Sequence, residues 1–180
     1  RNDAHTVLAA GGVNAVLGTR DPEDTVEQHF ADTYRDGYEL ADHRMVEILV
    51  AESPAAVLEL ADWGCPFART EDGRIDQRFF GAHTFRRTCY AGDWTGRAIV
   101  RTLERRVTDL GVPVLEGVYV TRLLVADATC FGAYAVDLAT GERLALLADA
   151  VVLATGGHTR IWRRSSSRRD SPIDAAKRSV

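Results

Sequence analysis

Cysteine is scarce in this sequence, and the three that it has, Cys65, Cys89 and Cys130, are widely separated. A local zinc knuckle needs ligands a few residues apart, and a disulfide framework needs more cysteines than these. The spacing therefore excludes both kinds of scaffold. We expect the thiols to be reduced, as they are in an intracellular protein.

Long apolar runs are also lacking. No stretch approaches the roughly 20 apolar residues that span a membrane, and residues 1–20 do not have the basic-then-apolar plan of a signal peptide. We therefore expect a soluble chain. The sequence starts with Arg1 in the middle of a pattern, so we also expect that further sequence precedes it.

A strongly cationic surface is the third absence. The net charge is -4 and Lys177 is the only lysine. Nucleic acids and anionic lipids bind basic surfaces, so we expect no nucleic acid as a partner. Arginine carries nearly all the positive charge, which reflects either genome composition or recognition of carboxylates by planar guanidinium groups.

Several segments have helical patterns. Asp21-Pro22 predicts an N-cap followed by a proline in the first turn, and Val26, Phe30 and Tyr34 follow at helical spacing. Asp42 predicts the start of a second helix, and Ser53-Pro54 predicts that a third begins afresh. The predicted helices cover residues 21–37, 42–51, 53–64 and 94–110.

Four short apolar segments follow, near residues 114–125, 130–138, 143–148 and 150–155. Ala139 to Glu142 predicts a hairpin turn between two of them. The last segment, Val151 to Ala154, is apolar throughout, which is typical of a strand covered on both faces by helices. We therefore predict an α/β or mixed α+β fold.

Two glycine pairs are candidates for cofactor binding. Gly156-Gly157 follows the predicted buried strand, at the sheet edge where nucleotides bind in open α/β folds. Gly11-Gly12 could let a flat aromatic ligand or a phosphate lie against main-chain N–H groups. Either pair alone is equally compatible with a simple turn.

Residue order narrows this choice. The run from His5 to Ala15, His-Thr-Val-Leu-Ala-Ala-Gly-Gly-Val-Asn-Ala, resembles the stretch around the flavin-linked histidine of succinate dehydrogenase and fumarate reductase flavoprotein subunits. The resemblance covers about residues 4–170 without long gaps. Further matches occur in the family's order at residues 63–67, 69–73, 77–78 with 80–81, 87–91 with 93 and 95–96, and 154–157.

The resemblance implies that FAD is bound covalently, through a bond from the His5 imidazole to the flavin 8α-methyl carbon. A neutral imidazole nitrogen is a good nucleophile near neutral pH, which suits this role. The glycine pair at 11–12 would lie at the reactive face of the flavin, and residues 154–157 at its adenosine side. The implied FAD-binding residues are His5, Thr6, Gly11, Gly12, Ala154, Thr155, Gly156 and Gly157.

Other polar and aromatic residues have two interpretations each. Phe80, with Gly81, would border a dicarboxylate pocket by the resemblance, or Phe80 is a core aromatic. The arginines Arg78, Arg86 and Arg87 either bind carboxylates or bridge loops. Asp93, before Thr95-Gly96, is interpreted as a helix N-cap instead of a proton acceptor. We assign no catalytic residue and no metal ligand in this chain.

The sequence departs from the family pattern at Ala4, Ala10, Ala82-His83 and Arg97, where serine, glutamine or glutamate, Gly-Gln and histidine are frequent. Flavin contacts are therefore expected to differ in detail. No Gly-x-Gly-x-x-Gly dinucleotide turn precedes His5.

Nothing after residue 157 resembles the capping domain, which in the family carries the arginine proton donor. We therefore predict that residues 1–170 form part of a Rossmann-like FAD-binding domain with a helical insertion and a small β-meander, and that the capping domain is absent. Residues 171–180 are a divergent tail. By itself, such a chain is expected to be inactive.

The leading functional hypothesis is a fragment of the flavoprotein subunit that interconverts succinate and fumarate by hydride transfer to or from covalent FAD. The resemblance implies that the electron partner is an iron–sulfur subunit. It also implies membrane-anchor subunits and a role in electron transport and the tricarboxylic acid cycle. The expected location is cytoplasmic, peripheral on the inner face of the cell membrane. The direction of the reaction is not readable from this stretch.

Two alternatives stay open. An L-aspartate oxidase-like flavoenzyme has the same fold and a similar glycine pair, but its flavin is not covalently held and it normally lacks the histidine found here at His5. A truncated, catalytically inactive polypeptide is compatible with every one of these features. A glycine motif upstream and an arginine downstream in the parent reading frame would favour the enzyme.

Overall fold

The computed structural model describes residues 5–156, which form two compact units, residues 5–110 and 111–156. The fold combines helices and strands, as predicted from the sequence. In chain order the elements are a 3-10 helix (His5–Leu8), β1 (Val13–Asn14), α1 (Val26–Asp36), α2 (His43–Asp62), β2 (Gln77–Arg78), β3 (Thr88–Cys89), α3 (Thr95–Asp109), β4 (Val118–Ala126), β5 (Thr129–Asp137) and β6 (Arg143–Leu147).

The first unit is built around a short antiparallel sheet in the order β1-β3-β2. Its register places Asn14, Thr88 and Arg78 side by side across the three strands. Burial of apolar side chains from the sheet, α2 and the loop after α2 stabilises this unit. The buried core comprises Ala15, Val57, Cys65, Phe67, Ile75 and Cys89.

Helix α1 begins later than the sequence predicts. Thr25 is its N-cap and accepts a hydrogen bond from the Gln28 N–H at 3.1 Å, so the prediction of Asp21 as N-cap is wrong. The carboxylate of Asp21 instead accepts hydrogen bonds from Arg86. Because its carboxylate binds Arg86, 65 positions away, Asp21 does not cap the helix. Gly37 ends the helix, as predicted.

Helix α2 is continuous over residues 43–62, so the predicted break at Ser53-Pro54 is wrong. The N-cap Asp42 is confirmed, since its side chain accepts from the Met45 N–H at 3.0 Å. Pro54 has no N–H to give to the Val50 carbonyl. The buried Ser53 hydroxyl donates to that carbonyl at 3.2 Å, which replaces the missing hydrogen bond and lets the helix continue.

Helix α3 confirms the predicted helix near 94–110, but its start differs. Trp94 is the N-cap and makes no side-chain capping bond, so the interpretation of Asp93 as N-cap is wrong. The first turn is fixed by packing instead. The Gly96 N–H donates to the Ala9 carbonyl at 2.8 Å, and a Cβ at Gly96 would overlap the Thr6 carbonyl oxygen.

The second unit is an antiparallel meander in the order β4-β5-β6. Three of the four predicted strands and the predicted hairpin turn are confirmed, and Gly141 in that turn has φ +74°. The fourth is wrong, because residues 150–155 have no regular structure and Val152 is 88% exposed. An uninterrupted apolar strand needs paired neighbours and cover on both faces, and the described residues of this unit supply neither.

Some predicted features lie outside the described residues, namely Ala4, Gly157 and the tail 171–180. The predicted domain range of 1–170 therefore stays a prediction. Between residues 5 and 156, no helix is both long and apolar enough to cross a membrane.

Candidate functional site

The turn at Gly11-Gly12 joins the 3-10 helix to β1, and packing explains both glycines. Gly12 has φ +129°, and a Cβ there would lie 2.5 Å from the Cys89 carbonyl oxygen. A Cβ on Gly11 would lie 2.7 Å from Cε1 of Phe80. Gly12 therefore has no room for a side chain, whereas a side chain at Gly11 would require the exposed Phe80 ring to move.

Phe80 lies directly against this turn, and its side chain is nonetheless 55% exposed. It is therefore not a core aromatic within the described unit. Gly81, which follows it, has φ +71° and is also exposed. Phe80 and the glycine pair together form an open apolar and main-chain surface, which is the kind of surface that a flat aromatic ligand needs.

Arg78 lies under the same turn. Its Nη2 donates to the carbonyl oxygens of Ala10 at 3.2 Å and Gly11 at 3.0 Å, and to that of Gly92 at 3.4 Å. The guanidinium carbon lies 4.4 Å from the centroid of the Tyr90 ring. One side chain thus holds two successive carbonyl groups of the glycine turn.

The amide groups of the turn are available to a ligand. Among the described residues, neither the Gly11 N–H nor the Gly12 N–H donates a hydrogen bond. Backbone donors of folded proteins are almost always paired with protein, water or ligand. Two adjacent donors on an accessible turn are therefore suited to an electronegative acceptor on a bound molecule.

The predicted attachment residue lies just before this turn. His5 and Thr6 belong to the exposed 3-10 helix. The Ala9 N–H donates to the Thr6 carbonyl at 3.1 Å, and Gly96 of α3 lies against the same carbonyl. The 3-10 helix is therefore held against the first turn of α3, with the His5 side chain at the surface.

A buried charge network surrounds Arg87, which directly precedes β3. Arg87 is fully buried and donates from Nε and Nη2 to the two carboxylate oxygens of Asp24, at 3.0 and 2.6 Å. Its Nη1 donates to Asp32 at 2.8 Å and to Nδ1 of His83 at 3.0 Å. Bidentate geometry and several acceptors compensate the cost of burying this cation. Arg87 thereby ties β3 to α1 and to the loop before it.

His83 connects this network to β1. A guanidinium can only donate, so Nδ1 of His83 accepts from Arg87. The Asn14 side-chain amide lies 2.7 Å from Nε2, and Asn14 also contacts the Thr88 hydroxyl. Asn14 is two residues beyond Gly12, so the network supports the strand that leaves the glycine turn.

The network also shifts the pKa values of its members. Burial alone would raise the pKa of Asp32, but hydrogen bonds from the Thr84 N–H and hydroxyl, from Gln28 and from Arg87 outweigh it and hold that pKa well below its usual range. Burial, and then the charge of Arg87, lowers the pKa of His83. The same two causes, in that order, lower the pKa of His29 to about 4.

The three candidate arginines match the loop-bridging interpretation. Arg86 binds Asp21, Arg87 binds two buried aspartates, and Arg78 binds main-chain carbonyls. Sequence reasoning missed Asp24, Asp32 and Asn14 as members of this network. No local pattern marks these residues, because each partner lies more than 50 positions away along the chain.

Ala154, Thr155 and Gly156, the other predicted binding residues, lie in the second unit after β6. They are exposed and have no regular secondary structure, and Gly156 has φ +74°. Their assignment to the adenosine side of FAD stays a prediction, as does the role of Gly157.

Comparison with known proteins shows which family the chain belongs to. The sequence pattern of the FAD binding domain matches residues 1–177. The chain belongs to the FAD binding domain family. FAD is therefore its cofactor class, and the predicted resemblance is confirmed by the relatives that follow.

The relatives come from fumarate reductases and succinate dehydrogenases. The fumarate reductase flavoprotein subunit of Mycobacterium tuberculosis is 41% identical over 160 residues, which is 88% of this chain and 27% of the relative. The succinate dehydrogenase flavoprotein subunit of Rickettsia conorii is 38% identical over 172 residues, which is 91% of this chain and 29% of the relative. The chain thus spans less than a third of the length of these relatives.

A solved structure shows the same fold. Mycobacterium smegmatis Sdh1 in complex with UQ1 superposes with a TM-score of 0.83 at 37% identity, and the match covers 94% of this chain and 30% of that one. The part of the chain that the structure describes therefore has a fold similar to that of Sdh1.

Proposed function

We propose that this chain forms the part of a flavoprotein subunit that holds the flavin end of FAD, with His5 as the covalent attachment point. The observation that carries the proposal is the glycine turn, where two N–H groups with no acceptor among residues 5–156 lie beside the exposed Phe80 ring. The donors and the flat apolar surface suit the edge and face of a flavin ring.

Each residue of the turn would have a distinct task. Gly11 and Gly12 donate hydrogen bonds from their amides to acceptor atoms of the flavin. Phe80 covers one side of the turn and limits the access of water. His5, at the surface of the 3-10 helix, supplies the imidazole nitrogen that bonds to the cofactor. When bound, FAD supplies a hydride-accepting centre that none of these side chains has.

We further propose that the full-length protein interconverts succinate and fumarate. Support comes from relatives named for those two reactions, at 38% and 41% identity. Electrons would pass to an iron–sulfur subunit, while membrane-anchor subunits would hold the complex at the inner face of the cell membrane. The relatives' names, which describe subunits, agree with such an assembly.

The covalent bond is tested by denaturing the full-length protein after expression with its partner subunits and measuring flavin fluorescence on the protein band. We expect a fluorescent wild-type band and a dark band for His5→Ala. His43→Ala is the matched control, because His43 is also exposed but pairs with Glu47 on α2. This control should stay fluorescent.

The possible results separate the alternatives. A dark wild-type band that still releases free FAD would reject the tether and favour the aspartate oxidase-like alternative. A wild-type protein that releases no FAD at all would reject the cofactor proposal. A fluorescent protein that neither oxidises succinate with an artificial acceptor nor reduces fumarate with reduced viologen would support an inactive polypeptide.

A further inference from the structure

We propose that Arg78 is a positioning residue for the flavin. Arg78 orients the Gly11 and Gly12 N–H groups and makes them stronger hydrogen-bond donors. This inference rests on the proposed function, because it needs FAD at the turn. It goes further in assigning a task to an arginine that touches neither the cofactor nor the substrate in the proposal above.

The first step is the geometry of the carbonyl groups. Both the Ala10 and the Gly11 carbonyl oxygens lie within 3.2 Å of the same Nη2 atom. In an extended chain, successive carbonyl groups point to opposite sides. Here they point to one side, and the φ of +129° at Gly12 belongs to the same tight turn. Arg78 therefore holds a main-chain conformation that ordinary strand pairing would not maintain.

The second step follows from the planarity of the peptide unit. In a trans peptide the C=O and the next N–H point in opposite directions. Because the Ala10 carbonyl points toward Arg78, the Gly11 N–H points away from Arg78. In the next peptide unit the Gly11 carbonyl points toward Arg78, so the Gly12 N–H also points away from it. Gly11 and Gly12, whose N–H groups donate to no described residue, thus directly follow the two carbonyl groups that Arg78 binds.

The third step concerns charge. Within the described part of the chain, no carboxylate pairs with Arg78, and its buried Nε has no partner. The nearby Asp76 is bound instead by Arg20, at 2.6 Å, and by the Tyr90 hydroxyl, at 2.9 Å. The positive charge therefore acts on the peptide groups of the turn. A cation at the carbonyl end of a peptide polarises it and makes its N–H a stronger donor.

Two consequences for the cofactor follow. Better-aimed and stronger donors should tighten FAD binding. They should also favour the reduced flavin, which carries more negative charge than the oxidised form, and so raise its midpoint potential. A purely structural arginine would affect stability but would change neither property of protein that is already loaded with FAD.

The test uses full-length protein with Arg78→Met, which keeps the length of the side chain but removes its charge and donors, and Arg78→Lys, which keeps the charge. Arg74→Met is the matched control, since Arg74 is exposed and pairs with Asp72 in a distant turn. Reversible FAD affinity is measured by fluorescence titration in the His5→Ala background. The midpoint potential is measured with His5 intact, together with the melting temperature.

We expect Arg78→Met to weaken FAD binding by about ten- to a hundredfold, as for loss of a charged hydrogen bond. The midpoint potential should become more negative, Arg78→Lys should recover part of both effects, and Arg74→Met should match wild type. If Arg78→Met lowers only the melting temperature while affinity and potential are unchanged, the inference is wrong and the proposed function still stands. If wild type binds no FAD, both fail together.

Discussion

At the scale of single residues, the most unusual group is the buried His29 and the partly buried His83 beside Arg87. The His29 and His83 rings lie 5.8 Å apart, edge to face. Nδ1 of His29 is buried without a hydrogen-bond partner in the described residues. Protonating either ring would place a second cation next to Arg87, which adds to the effect of burial in lowering the pKa of each.

This burial predicts acid sensitivity. The pKa of His29 falls from 6.5 to about 4 on folding, so between these pH values the unfolded chain binds a proton that the folded chain does not. Stability is then lost as pH falls below 6.5, by about 2 kcal/mol for this histidine between pH 7 and pH 5. His83 adds a loss of the same sign. Urea denaturation of the full-length protein at the two pH values measures the change.

His29→Phe should remove much of this pH dependence, because phenylalanine fills a similar space and cannot bind a proton. Asp32 should not contribute in this window, since its pKa is held below its usual range and its carboxylate stays ionised there. An equally steep loss of stability in His29→Phe would show that other groups cause it.

The cysteines also differ at this scale. Burial raises the pKa of the Cys89 thiol to about 12, against a smaller opposing effect of the hydrogen bond from Gln77. Burial likewise raises the pKa of Cys65. Both side chains belong to the apolar core, so they act as small apolar residues and not as nucleophiles.

At the scale of elements, α2 shows how one hydroxyl preserves a helix. Ser53→Ala would leave the Val50 carbonyl without a partner, because Pro54 cannot supply an N–H. We expect a loss of about 1 kcal/mol in the free energy of unfolding, as for a buried hydrogen bond.

A double-mutant cycle gives the decisive comparison. In the Pro54→Ala background the restored N–H can bind Val50, so Ser53→Ala should cost close to nothing. The difference between the two backgrounds, measured by urea denaturation of full-length protein, is the coupling between the two residues. Equal costs in both backgrounds would mean that the serine does not replace the missing bond.

The elements also show what the sequence could predict. Local signals are sufficient for Asp42, for Gly37 and for the hairpin at Ala139 to Glu142, where a side chain or a glycine acts on its own neighbours. They fail at Asp21, because a partner 65 positions away takes the carboxylate. Such long-range pairs leave no periodic signal.

Helix α1 shows the same limit for packing. Its apolar residues Val26, Phe30 and Tyr34 are only half-buried, whereas the buried side chains are His29 and Asp32. A periodic pattern of apolar residues predicts which helix face is buried by apolar contacts. It does not predict a face that is buried because its polar side chains form ion pairs. Family resemblance predicts the site at His5 and Gly11-Gly12, whereas the task proposed for Arg78 depends on contacts with residues 68 and 67 positions away along the chain.

At the scale of the whole molecule, exposed apolar surface is the main feature. In residues 111–156 the buried apolar side chains are Ala133 and Ala135. Isolated sheets of this size rarely hold together without a packed face. The large apolar side chains that are exposed in this unit include Tyr119, Val120, Val125, Phe131, Leu138, Leu147, Val152 and Leu153.

We therefore expect other parts of the full-length protein to cover this unit. A polypeptide of residues 1–180 alone should bind the dye 8-anilinonaphthalene-1-sulfonate several-fold more strongly per molecule than the full-length protein does, because apolar patches of this kind bind the dye. Fluorescence at equal molar concentration measures this. Equal dye binding by the two proteins would show that the apolar face stays open in both.

The contact between Gly96 and the 3-10 helix has a consequence for motion. Because the Thr6 and Ala9 main chain lies directly on the first turn of a 15-residue helix, a group bonded to His5 would share the small vibrations of α3. If the proposed bond to His5 forms, the amplitude of the cofactor ring's thermal motion would then be set by α3.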